Sequence, residues 1–552
     1  MTTLSISGFG GANIALNPRM LPPGVGSNSV NQDPRRGDLR PIASPLQVAT
    51  TTAGNKSIYR MGRDVVSDTQ YWLSWAADKV HAVRGFIAED TTERTYYTGD
   101  GVPKWTDNVI GLATAPYPTA WRQLGVPAPT TAVTLTQTGG VSTIIEDRFY
   151  VTTFVTDKGE ESAPSPPSAV ISCPQDAIVT INNLPLVPTG SFGIVTTRIY
   201  RTAAGKNSAA FLFLQDVVST ATTSTDNNPT LGNAIITTDW LPPPADLKYL
   251  TGLWNGMMAG ISGRSICFCQ PSVPYAWPIV YQIVPPDVTP VALCTFGSNL
   301  LVLTNGHPYV LNGSNPGAIT EMPVDYDRAC VSDKSPVSMG RGVVWACPDG
   351  LAYFGSTEKE GQKAYGFRFG GQLLTEKLLT HDDWNNDFNP TTMVGLRWLD
   401  YYIGFYLNTT TGLWNGIMVE PLNPGGIFLF DFGYQGVWKD TINEAAYVLD
   451  SAGVIRQWGA GAATSATFLS KVFHQPAPIV GFAWMEVIAD AYPVAVTLYA
   501  DGVPVYSGSA ASSDGIRLPG GYYASDFQVK IVTSNPVLVV NFAHSAEELA
   551  KE

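Results

Sequence analysis

Charge is what this chain has least of. Asp, Glu, Lys and Arg supply only 14% of its residues, against roughly 25% in an ordinary soluble domain. What charge there is runs acidic, 46 acids against 33 bases and a formal net charge of −13. A DNA-gripping surface needs clustered Lys and Arg to neutralise phosphates, so that class is disfavoured. A surface that lets DNA pass without adhering remains compatible with the acidic balance. Histidine is equally scarce: five, at 81, 307, 381, 474 and 544, with no i,i+4 pair and no cysteine at metal-ligand spacing. The six cysteines (173, 267, 269, 294, 330, 347) contain no CxxC pair and are too few for a disulfide framework at 552 residues. We expect buried free thiols, with Cys267 and Cys269 on one face of a strand. No apolar run approaches the ~20 residues that span a bilayer. Met1 to Asn13 lacks a charged start and an apolar core, so no signal peptide is expected and assembly in a reducing cytoplasm is. Long helical patterns are absent too.

What the chain does have is turns: 53 Gly and 41 Pro. In its second half tight turns recur at Ser262-Gly263, Asn305-Gly306, Asp349-Gly350, Thr411-Gly412 and Ala452-Gly453. Their glycines stand 43, 44, 62 and 41 residues apart, and the long gap reads as one unit carrying a loop insertion. Each turn joins two short apolar or aromatic runs, as in Leu300-Leu301-Val302-Leu303 before and Tyr309-Val310-Leu311 after. Glycine supplies the positive φ of a hairpin turn, and β-branched and aromatic flanks suit a pleated sheet. A hairpin repeating every 40 to 50 residues is the mark of a β-propeller blade. A further unit is expected near residue 77, where Tyr71-Trp72-Leu73-Ser74-Trp75 precedes Val80 to Val83. Six units result.

The repeat is interrupted. Residues 130–239 read as a β-sandwich of fibronectin-III or Ig-like type, with strands expected at 131–135, 149–156, 169–171, 178–181, 195–201 and 211–217. Prolines bracket it, Pro127 and Pro129 before and Pro242-Pro243-Pro244 after, as an insertion into a loop requires. The expected organisation is an extended N-terminal arm (1–55), first propeller blades (56–127), the inserted sandwich (128–244), remaining blades (245–475) and a small C-terminal β domain (476–552). That last part ends in Ser545-Ala546-Glu547-Glu548, a capping box opening one helical turn. The class is all-β, a propeller of about six blades.

Chemistry is thin. Asp382-Asp383-Trp384-Asn385-Asn386-Asp387-Phe388-Asn389 resembles half a calcium loop, yet Phe388 replaces the turn glycine and Val394 the bidentate glutamate. A solvated loop is expected there. The same acids would be the pair of a propeller glycan hydrolase, a chemistry that needs two carboxylates at a set separation. Ser67-Asp68-Thr69-Gln70-Tyr71-Trp72 approaches a sialidase-type box but lacks its glycine. Gly8-Phe9-Gly10-Gly11 lacks the strand and helix of a dinucleotide loop, and Arg36-Gly37-Asp38 matches the adhesion tripeptide by short chance. No residue is singled out as catalytic, cofactor-binding or metal-ligating, and no cofactor is expected.

Three stretches together resemble the tail nozzle (tail tubular) proteins of short-tailed bacteriophages. They are Asn17-Pro18-Arg19-Met20-Leu21-Pro22 through Gly37-Asp38-Leu39-Arg40-Pro41; Arg148-Phe149-Tyr150 through Glu160-Glu161-Ser162-Ala163-Pro164 with Arg198-Ile199-Tyr200-Arg201-Thr202; and Arg517-Leu518-Pro519-Gly520-Gly521-Tyr522 through Ser545-Ala546-Glu547-Glu548-Leu549. The resemblance implies a non-enzymatic virion structural protein, six copies in a ring, forming the distal tail tube that holds and then ejects the genome. It implies partners as well: head–tail adaptor proteins, tail fibres or a closing plug, and DNA passing an acidic or neutral lumen without specific binding. The alternatives are a receptor- or glycan-binding tail fibre or spike module, and the propeller hydrolase.

Overall fold

The structure is a computed structural model that describes residues 4–61, 71–87, 89–203, 210–313, 315–322, 324–356 and 369–549. Among the described residues six four-stranded blades, one of them continuous with a ten-stranded sheet, and one two-stranded blade stand radially about an axis. In chain order, blade 1 is the two-stranded sheet Ser57–Met61 and Tyr71–Trp75. Blade 2 runs from His81–Arg84 to Arg122–Gln123, and blade 3 from Lys248–Gly252 to Gln282–Ile283. Blade 4 spans Pro290–Phe296 to Thr320–Met322, blade 5 Val337–Ser338 to Phe369–Leu373, and blade 6 Val394–Trp398 to Phe428–Phe430. Blade 7 has Gly436–Asp440, Ala445–Leu449 and Val454–Gln457, and takes its fourth strand, Leu46–Thr50, from the N-terminal arm.

The first strands of blades 2 to 7 lie side by side round the axis, and that of blade 7 abuts blade 1. Blades 1 and 2 join through Tyr59, Met61, Leu73, Trp75 and Tyr97. Middle strands are apolar on both faces because both faces pack on neighbouring blades: every residue of Asn299–Thr304 is buried. The recurring turns join the second and third strands of blades 3 to 7. Gly263, Gly412 and Gly453 take φ of 55°, 67° and 81° there, which only glycine adopts without strain.

The unit expected near residue 77 is corrected. Tyr71–Trp75 pairs backwards with Ser57–Met61, and His81–Arg84 opens the next blade. The equivalent turn of blade 2 is at Asp100-Gly101, between Thr95–Thr98 and Lys104–Thr106. Excising the inserted sandwich brings Gly101 to roughly one blade period from Gly263. Among the described residues the ring thus holds six full blades and a short seventh.

The insert is a sandwich with three-stranded sheets Thr134–Thr138, Ile178–Asn182, Thr223–Asp226 and Tyr150–Thr156, Ile194–Thr202, Phe211–Val218, and a two-stranded ladder of Ile145–Arg148 with Ile171–Pro174. Its core is Val133, Tyr150, Cys173, Val179, Ile181, Ile199 and Leu214.

The N-terminal arm is built into three sheets. Leu4–Ile6 pairs with Val537–Ala543 in the C-terminal domain. Asn28–Val30 lies between blade 6 and Ala466–Leu469, making one continuous sheet from blade 6 into Tyr523–Thr533 and Val494–Ala500. Leu46–Thr50 completes blade 7. The C-terminal strands alternate cleanly, with Val494, Val496 and Leu498 inward and Ala495, Thr497 and Tyr499 turned away. Ser545 caps the closing turn Ala546–Leu549 by accepting from Glu548 N–H at 3.2 Å.

Candidate functional site

A propeller's axis is the usual place for a site, so the loops that enter its first strands matter most. Three of them meet over the axis. Asp78-Lys79 leads into blade 2, Tyr249 lies in the first strand of blade 3, and Asp333-Lys334 leads into blade 5. Lys79 Nζ donates to Asp333 at 2.6 Å, and Lys334 pairs with Asp78 at 3.7 Å. The Tyr249 hydroxyl donates to Asp333 as well, while its ring meets His81 edge-on at 5.0 Å. Blades 2 and 5 are separated by two blades on one side and three on the other, so these ion pairs cross the axis. Tyr249 has φ of 54°, strained for a bulky residue and sustained only by its surroundings. The bond to Asp333 raises the Lys79 pKa, whereas burial lowers those of His81 and Lys334. Side chains of one copy therefore bridge the axis at this end.

The second feature is the sandwich's anchor. Arg94, from blade 2, donates to Glu160 of the sandwich at 2.5 Å, and both side chains are over nine-tenths buried. The Arg94 guanidinium also lies 4.4 Å from the Trp105 ring centroid. Arg122 pairs with Asp157 through two N–H groups and lies near the same ring at 5.5 Å. Next in the chain, Glu161 accepts from Thr153, Arg198 and Tyr200. Glu160 and Asp157 thus tie the insert to the propeller, while Glu161 ties strands within the insert together. The hydrogen bonds from Arg122 hold the Asp157 carboxyl below its ordinary value of 3.8. Its contribution is present above that ordinary value and is lost as pH falls through the lowered one. Wild type should therefore resist urea better than Asp157→Asn at pH 7, and the gap in urea midpoint should narrow as pH falls below the ordinary carboxyl value of 3.8. A gap that persists unchanged in acid would remove the carboxylate from the anchor.

At the sandwich's far end lies a polar cleft of about 470 Å³, lined by Glu146, Arg148, Gln175, Arg201 and Asn228. Beneath it Asp226 is buried, accepting from Tyr150 at 2.6 Å and from Arg201 at 2.6 Å. Adjacent carboxylate raises the tyrosine's pKa, after burial has done most of it.

The sequence candidates fall elsewhere. The oxygen-rich segment is not a loop: His381–Asp387 is a helix, with a capping box between Thr380 and Asp383 and Trp384 fully buried against its neighbours. Asp383 is thus engaged in the cap, and Asp382 lies one residue away on the exposed side of the same turn. Millimolar calcium should leave the thermal midpoint unchanged; a rise of several degrees would restore a cation site. Among the described residues no three His, Cys, Asp or Glu side chains form a metal-sized cluster. His474 bonds Asp526 at 2.7 Å, His307 bonds the Tyr309 hydroxyl at 2.8 Å, and His544 stacks on Phe482. Asp38 of the Arg-Gly-Asp tripeptide is buried and paired with Arg40 at 2.8 Å. All six cysteines are buried free thiols, and Cys267 and Cys269 share one core. Ser67 to Gln70 lie outside the described residues.

No family model matches this chain, and no curated protein does. Among solved structures it is similar to apo AztD from Citrobacter koseri, at 12% identity and TM-score 0.28 over 73% of this chain and all of that one. It is similar to the WD40 domain of Neurospora crassa Pan2, at 10% identity and TM-score 0.22 over 52% and 84% of the two chains. It is similar to an exo-β-1,3-galactanase from Phanerochaete chrysosporium, at 8% identity and TM-score 0.17 over 91% and 99%. Likenesses at this level bear on neither activity nor substrate.

Proposed function

We propose that this chain is a virion structural protein, the subunit of a ring that forms the distal tail tube of a short-tailed phage particle. The observation that carries the reading is a three-part block whose axis is bridged by ion pairs. The sandwich is held to the propeller by a buried ion pair, and the C-terminal domain by a sheet that runs from blade 6 through the arm. A subunit that must bear load in a tube needs fixed relative geometry, whereas a hinged receptor needs the opposite. Because ion pairs cross the axis, the genome's passage in this reading lies between copies. A net charge of −13 then gives mild repulsion of phosphate. The role is mechanical and non-enzymatic, with adaptor proteins, fibres or a plug as partners at the ring's faces. Electron microscopy of the purified protein tests it: sixfold rings with an open centre are expected, and monodisperse single copies at high concentration would sink it.

The polar cleft at the sandwich's far end favours one second reading, a receptor- or glycan-binding fibre module. That reading expects trimers, and loss of ligand capture when Arg201 is replaced.

A further inference from the structure

The polar cleft at the sandwich's far end is built around two buried arginines, Arg148 and Arg201, 4% and 5% exposed. Arginine is almost never buried unless its N–H groups find acceptors. Arg148 meets that rule. Its Nε and Nη2 donate to Glu146 at 3.1 and 3.0 Å, and Nη2 donates also to the Gln175 carbonyl at 2.7 Å. Arg201 does not. Its Nη1 donates to Asp226 at 2.6 Å and, more weakly, to the Asn228 carbonyl at 3.5 Å. Among the described residues its Nε is buried without an acceptor, and its Nη2 makes no hydrogen bond. Nε–H and one Nη2–H lie side by side in the guanidinium plane, a fork that suits two adjacent oxygens. Arg201 lines a cleft of about 470 Å³, an ordinary size for a small-ligand site.

Charge decides which oxygens these are. Glu146 and Asp176 line the cleft and Asp226 lies beneath it, so three acids stand against the two arginines. That balance does not favour a carboxylate or a phosphate. A cation would meet the open edge of a guanidinium. Two neighbouring hydroxyls of an uncharged sugar satisfy the fork without adding charge. The remaining lining suits the same ligand. Glu146 takes both bonds from Arg148 on Oε2, and among the described residues Oε1 makes none, so it can accept from a hydroxyl. Asn227 and Gln175 present exposed amides that donate and accept. Pro229 and Leu231 add apolar surface for the C–H face of a sugar ring.

We propose that the sandwich cleft binds a neutral glycan, with the Arg201 fork donating to two adjacent hydroxyls and Glu146 accepting from another. The inference rests on the second reading above, which takes the cleft as a binding site, and it names the chemistry of the ligand. Every group it uses belongs to one sandwich, so it holds in a ring as well as in a trimer.

The test applies the full chain to a printed array of neutral oligosaccharides beside uronic-acid and sialylated ones, with calorimetry on each glycan captured. Wild type is expected to retain neutral glycans. Asn227→Trp fills the cleft from an exposed position, so it should abolish capture with circular dichroism and thermal midpoint unchanged. Arg201→Lys keeps a charge for Asp226 but removes the fork. It should weaken binding about tenfold or more, the worth of one hydrogen bond to a charged group. If Arg201→Lys disturbs the sandwich, Asn227→Trp alone decides. Capture of acidic glycans only, lost in Asn227→Trp, overturns the neutral ligand and leaves the cleft standing as a binding site. Capture of no glycan, or capture that Asn227→Trp leaves intact, overturns this inference and the glycan form of the second reading together.

Discussion

Replacing Asp440 with alanine is expected to destabilise the propeller by about 3–5 kcal/mol, the cost of breaking a buried ion pair from one side. Asp440 ends the first strand of blade 7 and has no exposed side-chain surface. Its partner Arg60, in blade 1, is 2% exposed, with Nη1 and Oδ2 3.2 Å apart. The same carboxylate accepts from Ile442 N–H at 2.9 Å and Asn443 Nδ2 at 3.0 Å, so it also shapes the turn between the first two strands. Around it Trp438 packs edge-on against Tyr59 and Trp72, which leaves little room for water to replace the lost oxygen. The pair spans the seam where the ring closes, between the last blade and the shortest one. Asp440→Asn should cost less, because the turn keeps an acceptor. The double replacement Arg60→Met with Asp440→Leu should recover much of the loss, since apolar side chains of similar volume then take the place of the buried pair. Urea midpoints followed by tryptophan fluorescence give the comparison. An Asp440→Ala midpoint equal to wild type would mean that water reaches the arginine and that the seam is looser than it looks.

The parts of this fold that could be read from residue order are those whose signal is local. The hairpins at Gly263, Gly306, Gly350, Gly412 and Gly453 are local, because one turn joins two buried strands. So are the sandwich's strands and the Ser545 cap. The unit near residue 77 misleads for a physical reason. Tyr71–Trp75 and His81–Arg84 both carry strand-forming residues and lie close in sequence, yet they belong to neighbouring radial sheets, and a short link between blades looks like a short link within one. Blade 2 carried its own signal in Asp100-Gly101, between two aromatic-rich strands. Leu46–Thr50 gave almost none, because an outermost strand is half solvated and can be as polar as a loop. The oxygen-rich segment read as a loop although Thr380 and Asp383 stand at capping-box spacing. The axis cluster was beyond reach altogether. Lys79, Tyr249 and Asp333 are ordinary residues far apart in the chain, and only ring closure brings them together.

That same dependence on closure makes the N-terminal arm the most consequential segment to remove. A chain lacking residues 1–50 is expected not to reach the native state. Leu4, Ile6, Phe9, Leu21, Leu39 and Ile42 are each less than 9% exposed, and burying such side chains stabilises by about 1.5–3 kcal/mol apiece. Their combined loss exceeds much or all of the roughly 5–15 kcal/mol by which a domain is normally stable. The deletion also bares backbone. Val454–Gln457 loses its partner strand, Val537–Ala543 loses Leu4–Ile6, and the continuous sheet is cut between Phe428–Phe430 and Ala466–Leu469. Each cut leaves an unpaired strand edge, which promotes aggregation. The expected result is insoluble protein, or soluble protein without near-ultraviolet circular dichroism and with rapid proteolysis throughout. A gentler probe separates the arm's tasks. Leu39→Ala, in the core of the C-terminal domain, should cost about 2–5 kcal/mol there while blades 2 to 5 keep their protease resistance. If the truncated chain keeps the wild-type proteolytic pattern, the arm is an appendage laid on a propeller that closes without it.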